Sequence, residues 1–450
     1  MKELKAQLTY GLQTSLSYLM KKSLDVVSFS FVGHLGKVYL SATGLALVTA
    51  NVTGNAILLG LGGAQATLCG QACGAKNNVS LNEVFQRAMV ISFVTCIPVS
   101  VLWIFSEPVL LASGQEATLA AQAAAFLVWL IPGLFFFSQS LCIQNWLFSQ
   151  HKMTAPAVVI SVVAALHVLW NYLFVIVFDM GYIGTAVSIS TSRFVEFLLL
   201  LSYIRLSGAL NETDFQWSRS CLRHWSPILT LFKGNVLMMS ELWASEVLTF
   251  LSGTIENAHV EVAAMSIYQS INAFCFQLPN GIQVSACTRV SHLVGSGQAE
   301  AARRAASIAG YLSLCITLVV SASLLLFGRQ YIQIYTDDEA VIEATMVLMP
   351  VLAFYVIGDG TVAALSGALK GIGRQKIGGR IVVFSYYAVA IPISVLLTYH
   401  WGGSFNFGMG TLGLCLGTLV GTYTHGLLYY IYLFYICDWN DEVALAKERV

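Results

Sequence analysis

The chain has 450 residues and a formal net charge of zero at neutral pH. Only 10% of the residues are charged and 57% are hydrophobic, whereas about a quarter of the residues of a soluble domain are charged. This composition excludes an ordinary soluble domain and predicts an all-α integral membrane protein.

The elements predicted in chain order are twelve apolar segments, each long enough to cross a hydrocarbon layer of ~30 Å. They lie at roughly 8–32, 40–63, 84–106, 118–141, 153–178, 182–206, 226–252, 259–284, 304–327, 342–366, 378–399 and 409–437. We therefore expect twelve transmembrane helices.

Basic residues orient these predicted helices. If both termini are cytoplasmic, the outer connections hold only Lys37 and Arg329. The inner connections hold Lys76, Arg87, Lys152, Arg205, Arg219, Arg223, Lys233, Arg289, Arg303, Arg304, Lys370, Arg374, Lys376 and Arg380. Cytoplasmic loops carry the excess of Lys and Arg in membrane proteins. The pattern predicts cytoplasmic N- and C-termini and an even number of spans.

The sequence also contains an internal duplication. Residues 41–46 match 262–267 at an offset of 221 (262 − 41), and residues 180–184 match 409–413 at an offset of 229 (409 − 180). Each half then contains six spans, so the halves are predicted to be parallel repeats that rock about a substrate site near the midplane.

The predicted domain organisation follows from this duplication. It consists of an N-terminal lobe (1–206), a cytoplasmic linker (207–225), a C-terminal lobe (226–437) and a short cytoplasmic tail (438–450). The linker is the longest polar connection, and we expect it to act as the hinge between the lobes.

Carboxylates lie inside several of the apolar segments, where an ionisable group usually marks a substrate or ion pathway, and four of them are the candidate acids of the site. They are Asp25, Glu241, Glu246 and Asp359. Glu241 and Glu246 are five residues apart, about 7.5 Å along a helix, and are expected to face one cavity from different angles. The glycines on both sides of Asp359 are expected to leave it free of steric cover and to loosen the helix.

A carboxylate inside a membrane protein can hold a proton or an organic cation. If one group holds either but not both, exchange of a cationic substrate for protons follows directly. The alternative is that these acids only form hydrogen bonds with neighbouring Ser, Trp or Tyr side chains.

The first span also carries two lysines. Lys21 and Lys22 precede Asp25 by four and three residues, spacings that allow side chains to pair on a helix. Either a Lys–Asp pair locks this region internally, or the positive charge favours an acidic or zwitterionic substrate. In the sixth span, Arg193 and Glu196 are predicted to form a buried structural pair.

The chain resembles the eukaryotic branch of the multidrug and toxic compound extrusion (MATE) transporters along nearly its whole length. The matching motifs are VGHLG (32–36), NVTG (51–54), TLCGQACGAKN (67–77), ELWASE (241–246) and LSGALKGIGRQKIG (365–378). The resemblance implies export of organic solutes against inward-moving protons. It assigns proton coupling and cation binding to Glu241, Glu246 and Asp359, and polar N-lobe positions to His34 and Asn51.

Three departures from the family pattern make the cavity less negative. Ala66 and Gln269 stand where relatives have an acid, and Lys21 and Lys22 occupy positions that are usually neutral. The coupling acid of bacterial relatives lies near Ser28, so its role is not transferred to Asp25. An exporter of organic anions such as citrate or flavonoids, and a flippase for lipid-linked precursors, therefore remain alternatives, whereas a membrane-embedded enzyme lacks a polar catalytic set.

The expected partners are small organic substrates and the lipid bilayer. We expect no nucleic-acid partner, no metal and no cofactor other than H⁺ as the coupling ion, and a monomer as the functional unit. The protein is expected to lie in the plasma membrane or in a vacuolar membrane, two locations that the sequence does not distinguish.

Overall fold

A computed structural model describes residues 2–252, 255, 258–399 and 408–449. All regular secondary structure in these ranges is helical. The chain divides into two compact units: the N-unit, which contains Leu16–Phe232, and the C-unit, which contains the segment ending at Ser15 together with Lys233–Glu448.

The first helix, α1 (Lys2–Gly33), contributes to both units. The other N-unit helices are α2 (Lys37–Ala50), α3 (Ala56–Gly74), α4 (Asn78–Ile104), α5 (Ser106–Ala112), α6 (Ala117–Ser149), α7 (Thr154–Asn171), α8 (Gly181–Leu206) and the short α9 (Ala209–Glu212). Two π-helical segments, Asn51–Asn55 and Tyr172–Val177, and a 3₁₀ turn, Arg219–Leu222, complete the helical structure of this part.

Helix α10 (Ser226–Met238) leads into the C-unit. The remaining helices are α11 (Ser240–Ser252), α12 (Ala258–Cys275), α13 (Gln277–Gly295), α14 (Ala299–Gln333), α15 (Glu339–Gly371), α16 (Gln375–Val383), α17 (Ile391–Thr398), α18 (Thr411–Ile431) and α19 (Trp439–Arg449). Two π-helical segments follow α16 and α18, at Phe384–Ala390 and Tyr432–Ile436.

Every predicted apolar segment coincides with one helix or with consecutive helices. Eight helical segments of the described chain are long and apolar enough to cross a membrane: 37–74, 78–104, 117–149, 154–177, 181–206, 299–333, 339–371 and 375–398. The four predicted spans outside this set contain α1, α10–α11, α12–α13 and α18. They carry charged or polar side chains, or are interrupted, and they supply much of the site described below.

Two predicted continuous spans are each broken into two helices. The segment 226–252 breaks at Met239, where the Ser240 hydroxyl donates to the Leu237 carbonyl at 2.7 Å and so competes with the backbone for that acceptor. The segment 259–284 breaks at Phe276. Pro279 follows three residues later and has no N–H for the carbonyl of Cys275.

The N-unit core forms where α6 packs against its neighbours. Phe126 and Trp146 of α6 and Trp103 of α4 are fully buried there. Gly133 brings α6 and α8 close, because a Cβ at this position would lie 3.0 Å from the Cα of Ser190. Small residues allow such close approach where lipid removes the hydrophobic drive for helix association.

The first half of α1 belongs to the C-unit because it bonds to the backbone of that unit. The Gln7 side chain donates to the Ala305 carbonyl at 2.9 Å, and the Ser15 hydroxyl donates to the Leu278 carbonyl at 2.7 Å. The Arg289 guanidinium also forms an ion pair with Glu3. The boundary between the compact units therefore falls inside α1, whereas the sequence placed the whole of residues 1–206 in one lobe.

The polar connection 207–225, predicted to be a hinge, is bonded to α4 within the N-unit. The Asn82 amide donates to the Thr213 carbonyl at 2.7 Å, and the Gln86 amide donates to the Gln216 carbonyl at 2.7 Å. The backbone N–H of Ser218 returns a bond to Gln86 at 3.0 Å. These hydrogen bonds attach residues 207–225 to α4. The chain enters the C-unit only at Lys233.

Candidate functional site

The break at Met239 places Glu241 in the first turn of α11. The free N–H groups of a helix N-terminus favour a negative charge. The phenol of Tyr386 donates a hydrogen bond of 2.6 Å to Glu241 Oε1. Glu241 is thus a partly buried carboxylate with an aromatic hydroxyl directed at it from another helix.

Tyr386 is held in position by the π-helical segment Phe384–Ala390. Its hydroxyl is also 3.0 Å from Thr422 Oγ1 of α18, and its ring meets that of His425 edge-on, with centroids 5.8 Å apart. The neighbouring Tyr387 donates to the Ser240 carbonyl at 3.1 Å, beside the break in the seventh span. One irregular segment therefore contacts both the acidic residue and the helix break, as π-helical turns at functional sites often do.

Asp359 lies within α15 with only 6% of its surface exposed. In the described part of the chain, no hydrogen bond or ion pair reaches its carboxylate, but its charge interacts with that of Glu241. Burial of a charge without a counter-charge is costly. Asp359 and Glu241 thus form a pair of interacting acids inside the C-unit.

The expectation that the flanking glycines leave Asp359 uncovered and loosen the helix is wrong. Helix α15 runs without interruption from Glu339 to Gly371. A Cβ at Gly360 would clash with Thr317 Cγ2, and a Cβ at Gly358 would lie 3.1 Å from the ring of Tyr423. The glycines allow neighbouring helices to pack against α15, and this packing is what buries the acid.

Glu246, the other acid of the seventh span, is exposed, and no ion pair engages it among the described residues. It does not share the hydrogen-bonded surroundings of Glu241. A cation that sequence analysis did not assign to the site is present instead, because the charge of Lys370 interacts with that of Glu241. The local charge is therefore set by two acids, Glu241 and Asp359, and by Lys370.

The pairing predicted in the first span is confirmed for one lysine. Lys22 Nζ lies 3.0 Å from Asp25 Oδ2. Lys21 has partners on other N-unit helices, with its Nζ 3.3 Å from Glu196 Oε1 and 3.0 Å from Gln144 Oε1.

The predicted pair of Arg193 and Glu196 is corrected by these contacts. Glu196 forms an ion pair with Lys21 and accepts a hydrogen bond of 2.6 Å from the Gln144 amide. The Arg193 guanidinium instead lies over the ring of Phe137, with Cζ 4.8 Å from the centroid. A spacing of three residues on α8 did not decide which cation the acid would take.

The two remaining N-lobe candidates lie apart from this cluster. His34 is exposed in the turn after α1, about 13 Å beyond Asp25 along the chain direction at the helical rise of 1.5 Å per residue. Asn51 is exposed at the start of a π-helical segment, and its side chain accepts a bond from Asn55 at 2.7 Å. Neither residue contacts the lysines through a bond found in the described chain.

Within the described ranges, no three His, Cys, Asp or Glu side chains are grouped closely enough to hold a metal ion. Sequence analysis missed Tyr386, Thr422 and Lys370. A possible signal was the Tyr386–Tyr387 pair in an otherwise apolar span, since a buried Tyr hydroxyl usually has a hydrogen-bond partner.

The resemblance to MATE transporters implies solute exchange, and on that expectation the Tyr386→Phe variant lowers the exchange rate by about tenfold, because a hydrogen bond to a charged group contributes about 1.5–3 kcal/mol. Initial rates in proteoliposomes measure this effect. Tyr387→Phe is the matched control, since that phenol bonds a backbone carbonyl. Equal transport rates in the two variants would show that the Tyr386 hydroxyl has no role in the site.

Comparison with known proteins gives two matches to one family. Residues 14–173 and residues 236–396 each match MatE. The two matches begin 222 residues apart (236 − 14), in agreement with the offsets of 221 to 229 found within the sequence. The internal duplication is therefore confirmed.

The similar proteins include plant DETOXIFICATION proteins and solved MATE transporters. The chain is 32% identical to Protein DETOXIFICATION 16 of Arabidopsis thaliana over 437 residues, which are 96% of this chain and 88% of that protein. The crystal structure of the eukaryotic MATE transporter AtDTX14 superposes with a TM-score of 0.93 at 28% identity, covering 100% of this chain and 99% of that one. An outward-facing multidrug resistance MATE transporter shares the fold at 15% identity, with a TM-score of 0.86 over 99% and 97% of the two chains. The chain belongs to the MatE family and is an integral multi-pass membrane transporter with the MATE fold of two repeated lobes.

Proposed function

We propose that this transporter is an antiporter that exports organic solutes in exchange for protons. The observation that supports this proposal best is the pair of interacting acids in the C-unit, Glu241 and buried Asp359. Tyr386 donates a hydrogen bond to Glu241, and the Thr422 hydroxyl lies 3.0 Å from the same phenol. Such a site suits a flat organic cation.

The chemistry of exchange follows from charge neutralisation. Two nearby carboxylates repel each other when both are ionised, and either a proton or a substrate cation relieves that repulsion. A cation that enters therefore favours release of a proton, and a proton that arrives favours release of the cation. The hydroxyl of Tyr386 stabilises Glu241 when it is ionised, because hydrogen bonds to a charged acceptor are the stronger ones.

The proposal includes a topology and a transport cycle. Twelve helices cross the membrane with both termini in the cytoplasm, as the distribution of Lys and Arg favours. Rocking of two six-helix lobes exposes the site to each side in turn. A monomer carries out the cycle with H⁺ as the coupling ion, in the plasma membrane or a vacuolar membrane.

Proteoliposomes with an imposed pH gradient test this function. The substrate panel runs from tetraethylammonium through flat aromatic alkaloids and flavonoids to citrate. Gradient-driven movement of the cations, accompanied by opposite movement of protons, is the expected result. Cation transport at a rate independent of the pH gradient would exclude proton coupling. Transport of the anions alone would exclude the acidic site as the substrate site.

A second candidate function, export of an organic anion or zwitterion, is favoured by one observation. The N-unit carries Lys21, Lys22 and Arg193 within one charged cluster. Positive charge of this density is unusual inside a membrane protein and suits a substrate with a carboxylate.

The Lys22→Ala variant is expected to increase the affinity for organic cations by about tenfold, because it leaves Asp25 without its counter-charge and a change of about 1.4 kcal/mol is a factor of ten. Inhibition constants for tetraethylammonium measure this change. Lys37→Ala, at an exposed position of α2, is the matched control. Unchanged affinity would favour the internal lock, in which the Lys22–Asp25 pair only stabilises the helix.

A further inference from the structure

The N-unit contains a charged cluster that the proton-exchange mechanism does not use. It consists of two acids and three cations, here called the arginine cluster: Lys21, Lys22, Asp25, Arg193 and Glu196. Its members come from α1 and α8, with Gln144 of α6 bonded to both Lys21 and Glu196.

Both carboxylates of the arginine cluster are already paired with lysines. Lys22 Nζ is 3.0 Å from Asp25 Oδ2, and Lys21 Nζ is 3.3 Å from Glu196 Oε1. Glu196 is nearly buried, with a side chain 6% exposed, and also accepts the Gln144 bond of 2.6 Å. The acids therefore have their counter-charges without Arg193.

Arg193 has no such partner. Its Nη1 atom is buried, and within the described chain it has no hydrogen-bond partner. The charges of Glu196 and Asp25 act on the guanidinium from a distance, and one face of the group is covered by the ring of Phe137 at 4.8 Å. The N–H bonds of a guanidinium lie in its plane, in a fork that matches a carboxylate, so stacking leaves them available.

The charge balance of the arginine cluster indicates what it binds. Three cations face two carboxylates, which leaves one positive charge in excess. The nearby imidazole of His167 is engaged by the hydroxyls of Ser28, at 2.9 Å, and Ser192, at 2.8 Å. An unpaired charge in such surroundings is costly unless it meets a counter-charge and hydrogen bonds. One anionic group completes the balance.

The fold holds the Arg193 side chain in place, and the cluster is exposed only at its α1 edge. Gly133 makes room for it, since a Cβ there would lie 3.3 Å from Arg193 Cδ. The Ser190 hydroxyl ties α8 to the Trp129 carbonyl of α6 at 2.8 Å. On the α1 side, the Lys22 and Asp25 side chains are 33% and 46% exposed, so a small ligand can reach this edge of the cluster.

We propose that Arg193, with Lys22 at the accessible edge, binds the carboxylate of a transported substrate. The N-unit then selects substrates that carry a negative group, zwitterions included, and Lys21 and Glu196 position the site without contacting the ligand. The claim that this ligand is transported rests on the proposed antiport function. The claim that it binds at this site does not depend on that function.

The test compares two ligands that share a flat quaternary ammonium ion and differ in one carboxylate. Phenyltrimethylammonium lacks the group, and 4-(trimethylammonio)benzoate carries it. Titration calorimetry on the purified full chain measures the binding of each. Arg193→Gln is expected to weaken binding of the benzoate about tenfold or more, the usual loss for one hydrogen bond to a charged group, and to leave phenyltrimethylammonium unaffected. Equal loss for the two ligands, or no loss, overturns the proposal.

A second variant changes the affinity in the opposite direction and excludes a folding defect. Glu196→Gln removes the carboxylate that is paired with Lys21 and so adds one positive charge to the arginine cluster. It is expected to tighten binding of the benzoate, which damage to the fold does not do. Weaker or unchanged binding in this variant contradicts the proposal.

The C-unit variant Glu241→Gln separates the two proposals. It is expected to lose proton-driven transport, whereas adding Arg193→Gln in this background is still expected to weaken benzoate binding. Retained transport in Glu241→Gln overturns the antiport mechanism alone, whereas unaltered benzoate binding in Arg193→Gln overturns the anion site alone.

Discussion

Glu241→Gln is expected to reduce transport driven by a pH gradient to the background rate while the protein remains folded. The amide keeps the size of the side chain and can still accept the Tyr386 hydrogen bond, but it can neither carry a proton nor neutralise a cation. Loss of one partner of a buried charge interaction costs about 3–5 kcal/mol, so a loss of more than about 100-fold is expected. Uptake of labelled substrate into proteoliposomes under an imposed gradient measures it.

Two control variants make the result for Glu241 specific. Glu343→Gln changes an exposed acid of α15 and is expected to transport normally. Glu246→Gln changes the exposed acid on the same helix, α11, and shows whether the second acid of the ELWASE motif shares the task. Transport in Glu241→Gln at the rate of the unaltered protein would falsify a coupling role for this residue.

Asp359→Asn is expected to uncouple transport from the pH gradient. Asp359 is buried and interacts with the charge of Glu241, so the amide removes the repulsion that links proton release to cation binding. A cation bound at Glu241 then no longer competes with a proton on the second acid. The ratio of the transport rates with and without the pH gradient is expected to fall by about tenfold or more, given about 1.4 kcal/mol per factor of ten. Transport rates measured at a series of internal and external pH values show the effect.

The matched control is Asp337→Asn, which alters an exposed acid in the loop before α15. Thermal unfolding of the detergent-solubilised protein checks the fold, because the Gly358 and Gly360 contacts around Asp359 are tight. A pH dependence in Asp359→Asn that overlays that of the unaltered protein would exclude the acid from coupling. A normal pH dependence with reduced substrate affinity would assign it to binding alone.

Much of the fold could be predicted from the sequence because a membrane span is a local property. Runs of apolar residues long enough to cross the bilayer located the helices, and the two family matches confirmed the repeat found by self-comparison. The predicted spans failed in detail where a local competitor acts on the backbone. The Ser240 hydroxyl at the break after Met238, and Pro279 after the break at Phe276, are the two cases.

The candidate site was predictable only as a set of residues. The sequence by itself determined that Glu241, Asp359 and the lysines of the first predicted span lie inside apolar segments, because charge stands out against an apolar background. It also predicted that a lysine of the first span pairs with Asp25, since spacings of three and four residues place side chains on one helix face, and the structure shows that this lysine is Lys22.

Only the tertiary structure decided which groups meet across helices. Tyr386 donates a hydrogen bond to Glu241 from 145 residues away in the sequence. Glu196 forms its ion pair with Lys21 and not with Arg193, which is close to it on α8. The glycines beside Asp359 bury that acid instead of exposing it. Such contacts depend on how helices pack, which no local spacing encodes, because a charged side chain pairs with whichever counter-charge the packing brings within reach.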